Sequence, residues 1–130
     1  FTLSGVGGFL VSYLAGVALT IGASAAVCGL IGAALFYGKN RGGTYGQAVY
    51  KQVSGWVVGL FVFGLLVPGI NNWGHGGGLV CGALLAYLLG YRERRPETLL
   101  HKSLAGICAA LTVLSLGWAV IGAVFLRFAG

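Results

Sequence analysis

Long apolar runs, separated by short charged or glycine-rich gaps, set the strongest limit on what this chain can fold into. The first run covers residues 1–37, and others cover 53–67, 74–91 and 103–126. Seven of the eight Lys and Arg residues (Lys39, Arg41, Lys51, Arg92, Arg94, Arg95 and Lys102) fall in two gaps, 39–51 and 92–102. Only 8% of the 130 residues are charged and 58% are hydrophobic. A soluble domain of this size carries roughly 25% charge, so this chain has too few polar groups to cover a water-facing surface. The pattern is that of an integral membrane protein. No alternation at strand period and no β-barrel pattern occur, so the expected class is all-α, a polytopic helix bundle.

Thirty-seven residues of helix would reach ~55 Å, too long for one crossing of a ~30 Å hydrocarbon core. The first run is therefore expected to be two spans broken near Thr20–Ser24. A third span covers Val53–Val67 and stops at Pro68-Gly69. Ile70 to Trp73 reads as a short uncharged turn, Gly74–Tyr91 as a fourth span and Ser103–Leu126 as a fifth. The two basic gaps are separated by two crossings and so share a side, which the positive-inside rule makes the cytoplasm. The turn at Asn71–Trp73 then faces outward, and Arg127 alone departs from the pattern. Tyr37, Tyr50, Trp73 and Tyr91 fall near span ends, where aromatic rings favour the interface. The chain opens at Phe1 without Met or a basic leader, which reads as a piece of a longer protein.

The formal charge of +6 does not point to nucleic acid, because the basic residues lie in gaps rather than on one folded face. Cys28, Cys81 and Cys108 all sit in apolar runs, without disulfide or zinc spacing, and read as small packing residues. Gly42-Gly43 reads as a flexible linker with no Lys-Ser/Thr partner for a phosphate. His101, beside Lys102, reads as a solvated loop residue. The Arg92–Arg95 cluster reads as a topology anchor. No metal site or cofactor is expected.

The chain has no Asp, and its only carboxylates are Glu93 and Glu97 in a charged gap. An aspartyl intramembrane protease lacks its two acids, a His-Glu-x-x-His zinc site is absent, and a Ser-His-Asp triad has no third member. Proton-coupled transport usually places an acid within a span, and none does. His75 is the one ionisable group at membrane depth. Alone, it is equally well explained by a hydrogen bond to neighbouring backbone, and Ser24 alone is better explained as packing glue between helices.

Their depths bring them together. Ser24 lies thirteen residues before Tyr37, ~20 Å above the inner boundary if helical. His75 lies sixteen residues before Tyr91, ~24 Å above the same boundary. Both spans run from outside to inside, so a Ser24–His75 hydrogen bond across two helices is geometrically open. Gly78 and Gly82 form Gly-x-x-x-Gly on the fourth span, and Gly29 and Gly32 are a small-residue pair on the second. Such residues let helices close to contact.

Gly22-Ala23-Ser24-Ala25, followed by Gly29-Leu30-Ile31-Gly32, resembles the Gly-x-Ser-Gly motif of the rhomboid intramembrane serine proteases. Asn72-Trp73-Gly74-His75-Gly76-Gly77-Gly78-Leu79-Val80-Cys81-Gly82 resembles the family's Ala-His-x-x-Gly-x-x-x-Gly motif. Gly7 to Leu14 looks like the start of its third membrane helix. The resemblance covers about Gly5 to Tyr91. It implies a core rhomboid-like membrane domain over 1–91, a cytoplasmic charged loop over 92–102 and an extra C-terminal transmembrane helix over 103–130.

The resemblance further implies peptide-bond hydrolysis within the membrane of a bacterial inner membrane or its equivalent, with the site toward the extracytoplasmic side. Ser24 would be the nucleophile and His75 its general base. Backbone at Ser24 and Gly22 would support the oxyanion. Substrates would be transmembrane proteins whose helix unwinds near the outer face, met in the lipid bilayer. Pro68-Gly69 and the Asn71–Trp73 turn would form part of a mobile cap.

The chain departs from the family pattern in five places, one of them a stretch between the first span and Ser24, near Ala15–Thr20, that looks shorter than the family's. Ala25 stands where Gly is usual, Cys28 where an aromatic is usual, and Gly74 where Ala is commoner. The family's second helix, with its His and Asn oxyanion donors, has no counterpart. The departures at Ala25 and Cys28 keep open a second reading, a catalytically inactive rhomboid-like protein that binds membrane helices. A third, a transporter or channel subunit, is disfavoured by the absence of charged groups in the spans. The oligomeric state is not legible.

Overall fold

A computed structural model of the chain describes residues 1–17, 19–90 and 97–129, and every regular element in them is helical. In chain order these are α1 (Thr2–Leu14), α2 (Ser24–Arg41), α3 (Gly43–Leu66), α4 (Asn72–Leu89) and α5 (Leu99–Ala129). The first apolar run is broken at residues 15–23, between α1 and α2. Two helices, Gly43–Leu66 and Leu99–Arg127, are long and apolar enough to cross a membrane, while α1 is apolar but shorter. The chain divides into two compact units, one over Leu3–Glu93 and one over Arg94–Gly130.

In the first unit, small residues decide how closely the helices approach. A Cβ on Gly78 would overlap the Ala25 carbonyl, one on Gly82 the Gly29 carbonyl, and one on Gly32 the Leu79 carbonyl. Backbone meets backbone here, and the register rises together on both helices, so α2 and α4 run parallel. Helix α1 packs antiparallel across both. Gly5 faces Ala26, Gly8 faces Ala25 and the Gly74 carbonyl, and Val11 fills the space beside Gly77. Helix α3 runs antiparallel to α2, with Gly38 and Gly46 in mutual backbone contact, and meets α4 where Gly64 faces the Asn72 side chain.

The core that results is small and partly polar. Its buried apolar side chains are Ala25, Ala26, Cys28 and Val53, and its buried polar ones are Ser4, Ser12 and His75. Leu10, Leu14, Trp56, Val58, Leu65, Leu66, Leu84 and Leu88 point outward instead. So many large exposed apolar side chains on so small a core are not what a water-facing surface carries. Large apolar groups outside and small residues at the contacts are what packing in lipid produces, since lipid supplies no hydrophobic drive between helices.

Several boundaries differ from the sequence expectation. The basic gap at 39–51 is not a linker. Helix α2 continues through Lys39 to Arg41, α3 begins at Gly43, and Gly42 alone joins them. Gly42 and Gly43 hold φ of 63° and 64°, a left-handed conformation that other L-residues adopt only at a cost. The Arg41 guanidinium lies 4.4 Å from the Tyr45 ring centroid and 5.9 Å from that of Tyr37. A cation over an aromatic face is favourable, so this charge helps hold the junction. Helix α4 begins at Asn72 rather than Gly74 because Asn71 caps it.

In the second unit α5 begins at Leu99, so residues 99–102 are helix rather than loop. His101 sits in its first turn, not in a solvated loop, and its backbone N–H donates to Thr98 Oγ1 at 3.4 Å. The Arg92–Arg95 cluster lies outside the described residues. Thr112 and Ser115 return their hydroxyls to the Cys108 and Leu111 carbonyls, each at 2.8 Å, as hydroxyls do in an apolar helix.

Candidate functional site

The site forms where α2 and α4 begin. Ala25 lies against Gly78 and Gly29 against Gly82, so Ser24 falls level with Gly77. His75 is two residues before Gly77, a rise of ~3 Å along a helix. The parallel pairing thus brings a hydroxyl and an imidazole to one end of the helix cluster. Both line a cavity of about 360 Å³, together with Leu19, Thr20, Ile70, Asn71 and Gly74 among others.

Ser24 is the first residue of α2, is exposed, and follows Gly22 and Ala23. Gly22 holds φ of 99°, which turns the chain into the helix in a conformation that strains any residue with a Cβ. The first intrahelical bond at this end runs from the Val27 N–H to the Ala23 carbonyl at 3.0 Å. The N–H groups of Ser24, Ala25 and Ala26 therefore have no intrahelical acceptor. No side chain caps them. They concentrate positive partial charge at the helix start, where a negative group is stabilised.

His75 is 8% exposed and sits in the first turn of α4. Its backbone N–H donates to the Asn71 carbonyl at 3.2 Å. Its Nδ1 is buried with no hydrogen-bond partner among the described residues. No hydrogen bond joins Ser24 to His75. The Ala25 methyl fits because it faces Gly8 on α1, where a Cβ would come within 2.8 Å of it. Cys28, one turn further along α2, is 2% exposed.

Three residues that sequence reasoning set aside or passed over also meet here. Asn71 Nδ2 donates to Ser12 Oγ at 2.5 Å and to Thr20 Oγ1 at 2.9 Å. The two hydroxyls lie 2.6 Å apart. Asn71 Oδ1 accepts the Gly74 N–H at 3.0 Å, capping α4. Asn is among the preferred N-cap residues, so Asn71 followed three positions later by Gly74 was the available signal. Ser12 and Thr20 carry no such mark. Gly29, Gly32, Gly78 and Gly82 lie deeper along α2 and α4, at the backbone contacts already described. Among the described residues, no group of three or more His, Cys, Asp or Glu is placed to hold a metal ion.

Among known families, the Rhomboid domain model matches residues 1–92. No curated protein matches the chain, and neither does any solved structure.

Proposed function

The chain belongs to the rhomboid family of membrane proteins, generally serine intramembrane proteases, since its model covers residues 1–92 of 130, and from that premise we propose that the protein is a serine endopeptidase cleaving transmembrane substrates with a Ser24–His75 dyad. The observation that carries this reading is the shared cavity: the α2 N-terminus presents Ser24, and the first turn of α4 presents His75, to one space.

In the proposed reaction His75 takes the Ser24 hydroxyl proton as Ser24 Oγ adds to the scissile carbonyl carbon. The carbonyl π electrons move to oxygen, and the oxyanion is met by free N–H groups at the start of α2. His75 then returns the proton to the leaving amine, and water hydrolyses the acyl-enzyme. The neutral imidazole needs no carboxylate partner in the span, and the chain offers none. All five helices would lie in the membrane, α1 reaching only part of the way across, with the α2 and α4 N-termini toward the extracytoplasmic side and Lys39, Arg41 and Lys51 toward the cytoplasm. Gly78, Gly82, Gly29 and Gly32 serve the dyad indirectly, by holding the two helices at backbone contact.

The test is cleavage of a single-span model substrate in liposomes. Wild type is expected to cleave, and Ser24→Ala and His75→Ala are each expected to lose that activity. Cleavage that persists in either variant refutes the dyad. A second reading, a rhomboid-like protein that binds membrane helices without cutting them, is favoured by one observation, the lack of a Ser24–His75 hydrogen bond. It predicts substrate capture by wild type with no product. Geometry alone does not decide for it, because catalytic hydrogen bonds are often long without substrate and tighten in the complex.

A further inference from the structure

The polar cluster at the rim of the cavity holds more hydroxyl protons than its internal contacts use. The Asn71 amide carries two hydrogens, and the Ser12 and Thr20 hydroxyls carry one each. Three contacts close the triangle: Asn71 Nδ2 to Ser12 Oγ, Asn71 Nδ2 to Thr20 Oγ1, and Ser12 Oγ to Thr20 Oγ1. The two hydroxyls lie too close together, as seen from Nδ2, for each to take its own amide hydrogen, so one N–H is shared between them. One hydroxyl donates to the other, and the remaining hydroxyl proton has no acceptor within the cluster.

Burial decides which hydroxyl that is. Ser12 is 0% exposed, and an unmade hydrogen bond there would carry the full desolvation penalty of a buried donor. Thr20 lines the cavity beside Ser24 and His75. The satisfied arrangement has Ser12 donating to Thr20, Thr20 accepting from both Ser12 and Asn71, and the Thr20 proton turned into the cavity. Two donors pointing at one hydroxyl oxygen also polarise its O–H bond and strengthen it as a donor.

We propose that Thr20 is a further catalytic residue, whose hydroxyl donates a hydrogen bond to the scissile carbonyl oxygen as it becomes an oxyanion. This rests on the Ser24–His75 reading. Thr20 transfers no proton: the Ser24 Oγ–carbon bond forms, the π pair moves to oxygen, the Ser24 proton goes to His75, and the Thr20 O–H remains intact against the new charge. It adds a side-chain donor to the backbone N–H groups of α2, fixed in place by its bonds to Ser12 and Asn71 before substrate arrives.

The test uses the full chain in liposomes, with steady-state cleavage of a single-span substrate. Thr20→Val keeps the shape and removes the hydroxyl, and is expected to lower kcat about 100-fold, the scale of losing one oxyanion donor, with KM little changed. Thr20→Ser is expected to restore most of the rate. Ser12→Ala removes a buried partner but leaves the Thr20 hydroxyl, and is expected to lower kcat far less while lowering the unfolding midpoint. The proposal is overturned if Thr20→Val keeps its kcat, if Thr20→Ser fails to rescue, or if Ser12→Ala falls as far as Thr20→Val. Cleavage that survives Ser24→Ala, or a wild type that does not cleave, overturns the dyad and this proposal together. Loss in Ser24→Ala with no effect in Thr20→Val overturns this proposal alone.

Discussion

Asn71 does two jobs with one side chain. Its oxygen caps α4 and its nitrogen ties that helix start to α1 and to the segment before α2. Asn71→Ala removes the cap and leaves the buried Ser12 hydroxyl short of a donor. It should lower stability by about 1–3 kcal/mol, read as a lower unfolding midpoint in detergent. Asn71→Ser retains an oxygen able to cap and should lose less; an Asn71→Ala midpoint equal to wild type would contradict the capping account. That Ser24 and His75 line one cavity was legible from sequence because both stood out chemically, a hydroxyl in a small-residue stretch and a lone imidazole at membrane depth. Thr20 and Ser12 were not legible, because their roles come from a contact between α1, the following segment and the start of α4, and no spacing along the chain encodes that.

At the scale of helices, the decisive feature is a parallel α2–α4 pair with no side chain between the backbones. Gly82→Leu would drive a side chain into the Gly29 carbonyl. Overpacking of this kind typically costs about 1–3 kcal/mol, and here it also separates Ser24 from His75. Both the unfolding midpoint and the cleavage rate should fall. Gly55→Leu on α3, where an added Cβ meets nothing within 4 Å, is the control and should alter neither. The break between α1 and α2 and the end of α3 were readable from run length and from Pro68-Gly69. The α2–α3 junction was not. Charge at Lys39, Arg41 and Lys51 looked like a loop, yet those residues extend helices past the apolar stretch, and the turn is made by the positive-φ glycines at 42 and 43. Gly42→Ala places a Cβ at φ of 63°, which should cost about 1–2 kcal/mol without touching the site. Its expected signature is a lower unfolding midpoint with unchanged kcat.

For the whole molecule, the exposed apolar faces and the two long apolar helices predict that the protein stays in the membrane fraction after alkaline carbonate extraction. Recovery in the soluble fraction would contradict the lipid-facing reading of those surfaces. Every residue assigned to the cavity belongs to the Leu3–Glu93 unit. Ending the chain after residue 93 should therefore leave Ser24 reactive, whereas a role for α5 in the site would abolish that reactivity. If Ser24 is a nucleophile activated by His75, intact-mass analysis of the protein in lipid after fluorophosphonate treatment will reveal it. A single adduct on Ser24 that is lost in Ser24→Ala and strongly slowed in His75→Ala is the predicted result; no adduct on Ser24, or one that forms equally fast without His75, would contradict it.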